Sequence, residues 1–320
     1  MNTPTRTCPP SLESRRKSMD RRTFGKLLGA GAMGVASLAE AAWPAQPWGV
    51  QLFTVLEPLE RDFDGALREV AAIGYKEVET IGSFGRDPAA VRATFEKYGL
   101  RSPSQHLAPP SLYAAFSAWA RRETTTEGVR AAYSAAFTPQ TVMPLVEQAV
   151  VSAKALGQTY VIWPILLEAH LADRARLDTF IALFNQAGAL CRREGLVFAF
   201  HNHDREFRRF GDDVILDLIL KGTDPALVKF ELDFYWASKA GVDPVAYFTR
   251  YADRFRACHV KDMKPDRDFA AVGDGVLPIA ALISAARRSG VRHFYVEYDR
   301  SNDPLAEIRK SYGYLQRLRI

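Results

Sequence analysis

Eight short apolar or β-branched runs alternate with amphipathic helical stretches over residues 48–320. Strands alternating with helices require parallel pairing through crossover connections. Eight such units over a span of this length match the size of a closed barrel rather than a small open sheet. Val50-Gln51-Leu52-Phe53-Thr54 leads into an acidic helix start with no G-x-G-x-x-G, which disfavours a doubly wound nucleotide-binding sheet. The predicted fold class is α/β, a single (β/α)8 TIM barrel with an inserted segment after strand 3.

The first strand is placed at 48–53 and its helix at 61–73. Strand 2 (75–80) precedes a helix at 87–98. Strand 3 (101–106) is followed by a longer connection, 107–139, before a helix at 140–156. Strands 4 to 8 fall at 158–163, 196–202, 227–233, 255–260 and 292–298. Their helices fall at 173–194, 212–221, 243–252, 277–289 and 304–317. The connection 107–139 exceeds ordinary loop length and holds Leu112 to Arg121 and Ala131 to Phe137, so it is expected to be partly helical. It leaves the C-terminal end of strand 3, where an insert can serve as a lid or a substrate wall, the alternative being a structural or oligomer-contact insert.

Residues 1–42 differ in kind. Arg15, Arg16, Lys17, Arg21, Arg22 and Lys26 form a basic region, Leu27 to Leu38 is a weakly apolar run, and Ala39-Glu40-Ala41 matches a small-x-small cleavage site. The run is too short to span a membrane, and the layout is that of a secretory signal. Asp20-Arg21-Arg22-Thr23-Phe24-Gly25-Lys26 resembles the twin-arginine export motif. The expected organisation is a signal peptide at 1–42, a barrel at 43–320, and a periplasmic or secreted address. The chain carries 42 Lys+Arg against 37 Asp+Glu, a net +5; seven of those bases and three of those acids lie in 1–42, so +4 leaves with the leader. The near-neutral remainder gives no electrostatic case for nucleic acid as a partner. Three Cys in 320 residues exclude a disulfide scaffold, and Cys191 and Cys258 sit in apolar periodic segments as expected buried thiols.

Barrel sites are built at the C-terminal strand ends. Strand 2 ends in Glu77-Val78-Glu79, strand 3 in Ser104-Gln105-His106, and strand 5 in His201-Asn202-His203. Strand 6 ends in Glu231-Leu232-Asp233, strand 7 in His259-Val260-Lys261-Asp262, and strand 8 in Val296-Glu297-Tyr298-Asp299. Four of the six His occupy these ends, whereas His293 opens strand 8 at the other mouth. Side chains alternate along a strand, so His201 and His203 share a face, as do Glu231 and Asp233, and His259 and Lys261. Imidazole and carboxylate donors on neighbouring strands suit a divalent cation.

These motifs, together with Gly74-Tyr75-Lys76-Glu77-Val78-Glu79, His203-Asp204-Arg205-Glu206-Phe207, Asp243-Pro244-Val245 and Gly273-Asp274-Gly275, resemble the xylose isomerase-like TIM barrels, in particular the sugar phosphate isomerase/epimerase group. The resemblance covers essentially all of 48–320. It implies one divalent metal ion, Mn²⁺ first and Zn²⁺, Co²⁺ or Mg²⁺ otherwise, held by His201, Asp233, His259 and Glu297. The strand-5 ligand in the family is commonly Glu; His201 replaces it here and removes one carboxylate of the two-Glu epimerase pair. Glu79, His106 and His203 are the implied acid and base candidates. Gln51, Trp236 and Lys261 are implied in substrate binding, with a Lys261–Asp262 ion pair as the structural alternative, and Glu206 is expected to support the His-Asn-His segment.

The implied activity is a metal-dependent sugar isomerase or epimerase acting next to a carbonyl on a free or oxidised sugar. The alternative is a keto-sugar or 3-keto-glycoside lyase or dehydratase, and the minor alternative a non-catalytic sugar-binding barrel. A DNA phosphodiesterase on the same barrel is disfavoured by the near-neutral charge. The expected partners are a small carbohydrate and the twin-arginine translocation machinery, with a homo-oligomer left open.

Overall fold

In a computed structural model, residues 47–320 are described; the leader expected at 1–42 lies outside the described residues. Eight parallel strands close a barrel in chain order: β1 (Gly49–Gln51), β2 (Glu77–Ile81), β3 (Arg101–His106), β4 (Tyr160–Trp163), β5 (Val197–His201), β6 (Val228–Asp233), β7 (Phe255–Val260) and β8 (His293–Val296), with β8 paired to β1. Each is followed by helix, as the alternation predicts. Three of the helices open on Asp-Pro, at Asp87-Pro88, Asp243-Pro244 and Asp303-Pro304. The Asp side chain accepts a backbone N–H of the first turn, and Pro fills a position whose own N–H would have no helical partner.

Local geometry departs from the sequence reading in three places. β1 stops at Gln51, because the Gln51 side chain accepts the Phe53 N–H at 3.1 Å and turns Leu52–Val55 into a 3-10 turn. The helix placed at 61–73 is two helices, Leu56–Arg61 and Phe63–Ile73; Asp62 is extended between them and caps the second. The helix placed at 212–221 starts at Ile215, because Arg209–Phe210 and Asp213–Val214 pair as a small antiparallel ribbon around Gly211 at φ 58°.

The apolar core lies between the barrel's outer face and the helices. Phe198, Phe200, Phe230 and Leu232 point outward and are fully or almost fully buried. Trp163, Phe180 and Phe184 close over them with ring centroids 5.3–5.9 Å apart. The barrel interior is polar instead. At the N-terminal mouth, buried Glu77 contacts His293 Nδ1 at 2.9 Å and the Arg101 guanidinium at 2.7 Å. Strand register shifts between Glu77 and Glu79 where β2 meets β3, and between Phe230 and Glu231 where β6 meets β7. Such irregularities re-aim side chains, and here they fall at two carboxylates of the barrel's centre.

The segment after β3 holds two helices, Pro110–Ala120 and Thr126–Ala136. Glu60, on the helix after β1, anchors the first of them. Its carboxylate accepts from the Tyr113 and Ser117 hydroxyls and from Arg121 at 3.0 Å. Among the described residues no helix is long and apolar enough to cross a membrane.

Candidate active site

The inward-facing residues near the C-terminal ends of β2, β3, β5, β6 and β7 converge beneath one cavity of about 440 Å³. His106, His201, His203, Lys261 and Glu297 line it, with Gln51 and Trp236. Asp233 and His259 are fully buried directly behind this lining. Glu79 and Glu231 lie deeper, with relative exposures of 0% and 1%.

His259 is gripped at both ring nitrogens. Nδ1 lies 2.7 Å from Glu297 Oε2, and Nε2 lies 2.6 Å from Glu79 Oε2 and 3.1 Å from Glu231 Oε2. His201 Nδ1 contacts Glu231 Oε2 at 3.0 Å, which leaves Nε2 turned toward Asp233 Oδ2, 3.9 Å away. Asp233 Oδ2 also lies 3.9 Å from His259 Nδ1 and receives no directed hydrogen bond. Asp233 Oδ1 is occupied as the cap of the helix Phe234–Lys239, accepting the Trp236 N–H at 2.9 Å. His106 Nε2 sits between Glu231 (2.9 Å) and Glu79 (3.2 Å).

Asp233, His259 and Glu297 bring donor atoms close to one another, and His201 Nε2 lies beside them, 3.9 Å from Asp233 Oδ2. Both imidazoles place their other nitrogen on a buried carboxylate, Glu231 or Glu79. Metal-ligating imidazoles are held in this way, since the carboxylate fixes the tautomer and ring orientation. The mixed N/O set fits a divalent first-row ion, and in the structure the Lys261 ammonium lies 2.9 Å from Asp233 Oδ2 and 2.6 Å from Glu297 Oε2. A second grouping, His106, His201, Glu231 and His259, shares His259 with the set that contains Asp233 and Glu297. Of these residues His106, His201 and Glu297 line the cavity.

Lys261 answers an alternative left by the sequence. It forms no pair with Asp262. Its Nζ lies 2.9 Å from Asp233, 2.6 Å from Glu297 and 2.7 Å from Asp299. The reason is strand alternation: Lys261 follows His259 to the inside, and Asp262 points away. Asp262 instead accepts the backbone N–H groups of Met263, Gly273, Gly275 and Leu277. A Cβ on Gly275 would come within 2.1 Å of Asp262 Oδ1, which explains a glycine there.

Charge follows this packing. Burial opposes charge on His106, but Glu79 and Glu231 outweigh it and lift the imidazole from 6.5 to about 9. His259 is likewise buried, and Glu231 and Glu297 push it well upward. His201 goes the other way, to about 3, through burial and the neighbouring His259. Burial, then His201 and Lys261, hold His203 neutral. Burial raises Asp299 to about 6 against the pull of Lys261.

The remaining predicted residues separate by depth. His203 reaches the cavity, its Nδ1 without a partner and its ring 5.1 Å from that of Trp236. Glu206 holds that turn, accepting the His203 N–H at 2.9 Å and the Leu166 N–H at 3.2 Å. Gln51 donates to Glu79 at 2.7 Å while lining the cavity. Glu79 does not reach the cavity: Ser104, Gln51, His259 and His106 surround its carboxylate. Sequence reading assigned no role to Glu231, although its place two residues before Asp233 on one strand face was the signal. Asp299, three residues past the end of β8, was also left without a role.

Fold and floor together define a (β/α)8 barrel whose C-terminal mouth presents a histidine–carboxylate centre suited to a divalent ion. Residues 67–318 match the xylose isomerase-like TIM barrel family, and the chain belongs to that family. It is similar to an inosose dehydratase from Geobacillus kaustophilus (strain HTA426), 24% identical over 208 residues. That match spans 63% of this chain and 63% of the dehydratase, a little under two thirds of its length. A solved sugar phosphate isomerase/epimerase from Parabacteroides distasonis ATCC 8503 superposes with a TM-score of 0.67 at 24% identity, over 88% of this chain and 97% of that one. A 3-keto-D-glucoside 4-epimerase from E. coli superposes with a TM-score of 0.56 at 15% identity, over 85% and 99%. At these identities the structural likenesses establish the fold.

Proposed function

We propose that the barrel is a divalent-metal-dependent sugar isomerase or epimerase that removes a proton next to a carbonyl of a free or oxidised sugar. One observation carries this reading. His201 and His259 each turn one nitrogen toward Asp233 and Glu297 and the other onto a buried carboxylate, beneath a cavity lined by two further imidazoles. His201, Asp233, His259 and Glu297 would hold the ion, with Mn²⁺ the favoured metal. When bound, such an ion supplies Lewis-acid polarisation of a carbonyl and so acidifies the adjacent C–H.

The chain's own groups do the rest. His203 lines the cavity as a neutral imidazole, so it can accept a proton, and it is the candidate base. His106, held as imidazolium between Glu79 and Glu231, is the acid that faces the same space. Lys261 offers a fixed positive charge beside Glu297 at the cavity wall. Glu79 and Glu231 act as positioning residues. Proton return to the neighbouring carbon isomerises the sugar, and return to the opposite face epimerises it.

A second reading, elimination from a keto-sugar or 3-keto-glycoside, is favoured by the imidazole at position 201, where a two-carboxylate epimerase needs Glu, and by the similarity to a dehydratase. The test is incubation of the Mn²⁺-loaded protein with sugars, keto-sugars and glycosides in D₂O. Deuterium gained beside a carbonyl without cleavage supports isomerase or epimerase; release of water or an aglycone supports the lyase; neither outcome sinks both.

We also propose that residues 1–42 are a twin-arginine leader and that the barrel works in the periplasm. The support is the Arg21-Arg22 pair ahead of Phe24 and Lys26. Replacing both arginines by lysine is expected to retain the protein in the cytoplasm, as read by cell fractionation; unchanged export would reject the leader.

A further inference from the structure

We propose that the substrate has two rings: a glycoside whose reacting ring, oxidised to carry a carbonyl, lies on the histidine–carboxylate floor and whose second ring stacks on Trp119. This rests on the floor being a sugar site, as proposed above. The wall supplied by the inserted helices and the turn after β1 is largely aromatic, with Phe53, Phe116, Trp119 and Tyr133 beside Thr126 and Arg130. Phe53 stacks on Trp119 with centroids 5.6 Å apart and planes 10° apart, and Phe116 braces Phe53 edge-on at 5.3 Å. Phe116 in turn meets Tyr133 at 5.5 Å. Glu60 ties the first inserted helix down through three of its side chains, so the wall is an anchored surface.

The wall also stands at a junction. A second cavity, about 550 Å³, shares Phe53, Trp119, Asp299 and Arg300 with the first. Beyond Trp119 it offers hydrogen-bonding groups, among them Arg122, Thr124, Ser301 and Asn302. A single sugar on the floor would leave the exposed parts of Phe53, Trp119 and Tyr133 in water, at a cost that grows with their apolar area. Cavities of roughly 300–1,000 Å³ bury ligands larger than one sugar ring, through apolar walls and a few placed polar groups. A flat apolar face flanked by hydrogen-bonding groups suits either a second sugar, through its C–H surface, or an aromatic aglycone. The shared requirement is a second ring.

The experiment is titration calorimetry on the metal-loaded full chain with methyl, phenyl and glucosyl glycosides of glucose and of galactose. A stacked ring adds on the order of tenfold in affinity, so a phenyl or glucosyl glycoside is expected to bind about tenfold tighter than its methyl counterpart. Preference for phenyl identifies an aromatic aglycone, and preference for the disaccharide identifies a second sugar. Trp119→Ala is expected to erase the ratio, and Trp119→Phe to keep most of it. Equal affinities in the wild type, absence of binding to every probe, or a ratio that survives Trp119→Ala would overturn the proposal. Binding is read without turnover, so the two readings fail separately. A two-ring preference without deuterium exchange or elimination sinks the enzyme reading alone; exchange on single sugars without a preference sinks the second-ring site alone.

Discussion

His259 touches Glu297 at one ring nitrogen and Glu79 and Glu231 at the other, so three separate strands or strand ends determine its orientation. The donors of Asp233, His259 and Glu297, with His201 beside them, are then held in place before any ion arrives, and their removal should act on binding more than on folding. Asp233→Ala and Glu297→Ala are each expected to lose stoichiometric metal, measured by elemental analysis of folded protein purified from Mn²⁺-containing medium. Normal metal content in either variant would sink the assignment. Glu206 shows a different balance. Burial raises its carboxyl from 4.5 to about 7, against backbone N–H groups that favour the anion. An acid whose folded pKa is raised binds more protons folded than unfolded between those values, so its contribution to stability is lost as pH rises from 4.5 through 7. Glu206→Gln removes that dependence but turns an amide N–H toward a backbone N–H, a loss of about 1–3 kcal/mol. Thermal melts should show the variant clearly less stable at pH 5, with the gap narrowing toward pH 8; a gap that does not change with pH would exclude Glu206 as the titrating group.

At the scale of elements, the inserted pair of helices is held by one carboxylate from the preceding βα unit. Glu60→Ala leaves the Tyr113 and Ser117 hydroxyls and the Arg121 guanidinium without their acceptor. Limited proteolysis is expected to cut faster within 107–139, while the far-ultraviolet circular dichroism of the barrel is retained. Unchanged protection would mean that the aromatic contacts alone hold the insert. The segment after β7 needs no such test to explain its sequence: Asp262 gathers the backbone from Met263 to Leu277, and Gly275 leaves room for that carboxylate. The register shifts of β2 and β6 have a comparable effect, since they fall where Glu79 and Glu231 must turn toward the centre.

Over the whole molecule the two described cysteines report on integrity. Cys191 and Cys258 are free and buried, and burial lifts the Cys191 thiol to about 12 and the Cys258 thiol well above its usual value. The thiolate is the reactive form, so neither should react with a thiol reagent at pH 8 until the barrel unfolds; Cys8 falls within the proposed leader, and the assay should use protein without residues 1–42. Rapid labelling of the folded barrel would contradict the packing. Much of this architecture was legible in the sequence, because barrel strands alternate inside and outside with a period of two. That period put His201 with His203, Glu231 with Asp233 and His259 with Lys261 on shared faces, while His106 and Glu297 were reached through their strand-end positions and the family resemblance. It could not say that Lys261 bridges Asp233, Glu297 and Asp299 and ignores its neighbour Asp262, nor that Glu79 stays beneath the cavity floor. It also gave no sign that Phe53 lies flat on Trp119, which is 66 residues further along the chain. The sequence by itself determined the barrel, the gathering of His and carboxylate side chains at its strand ends and the presence of an insert, since these follow from local periodicity and strand direction. Partners, depth and the aromatic wall were decided only by tertiary structure, because each depends on side chains from separate elements meeting in space.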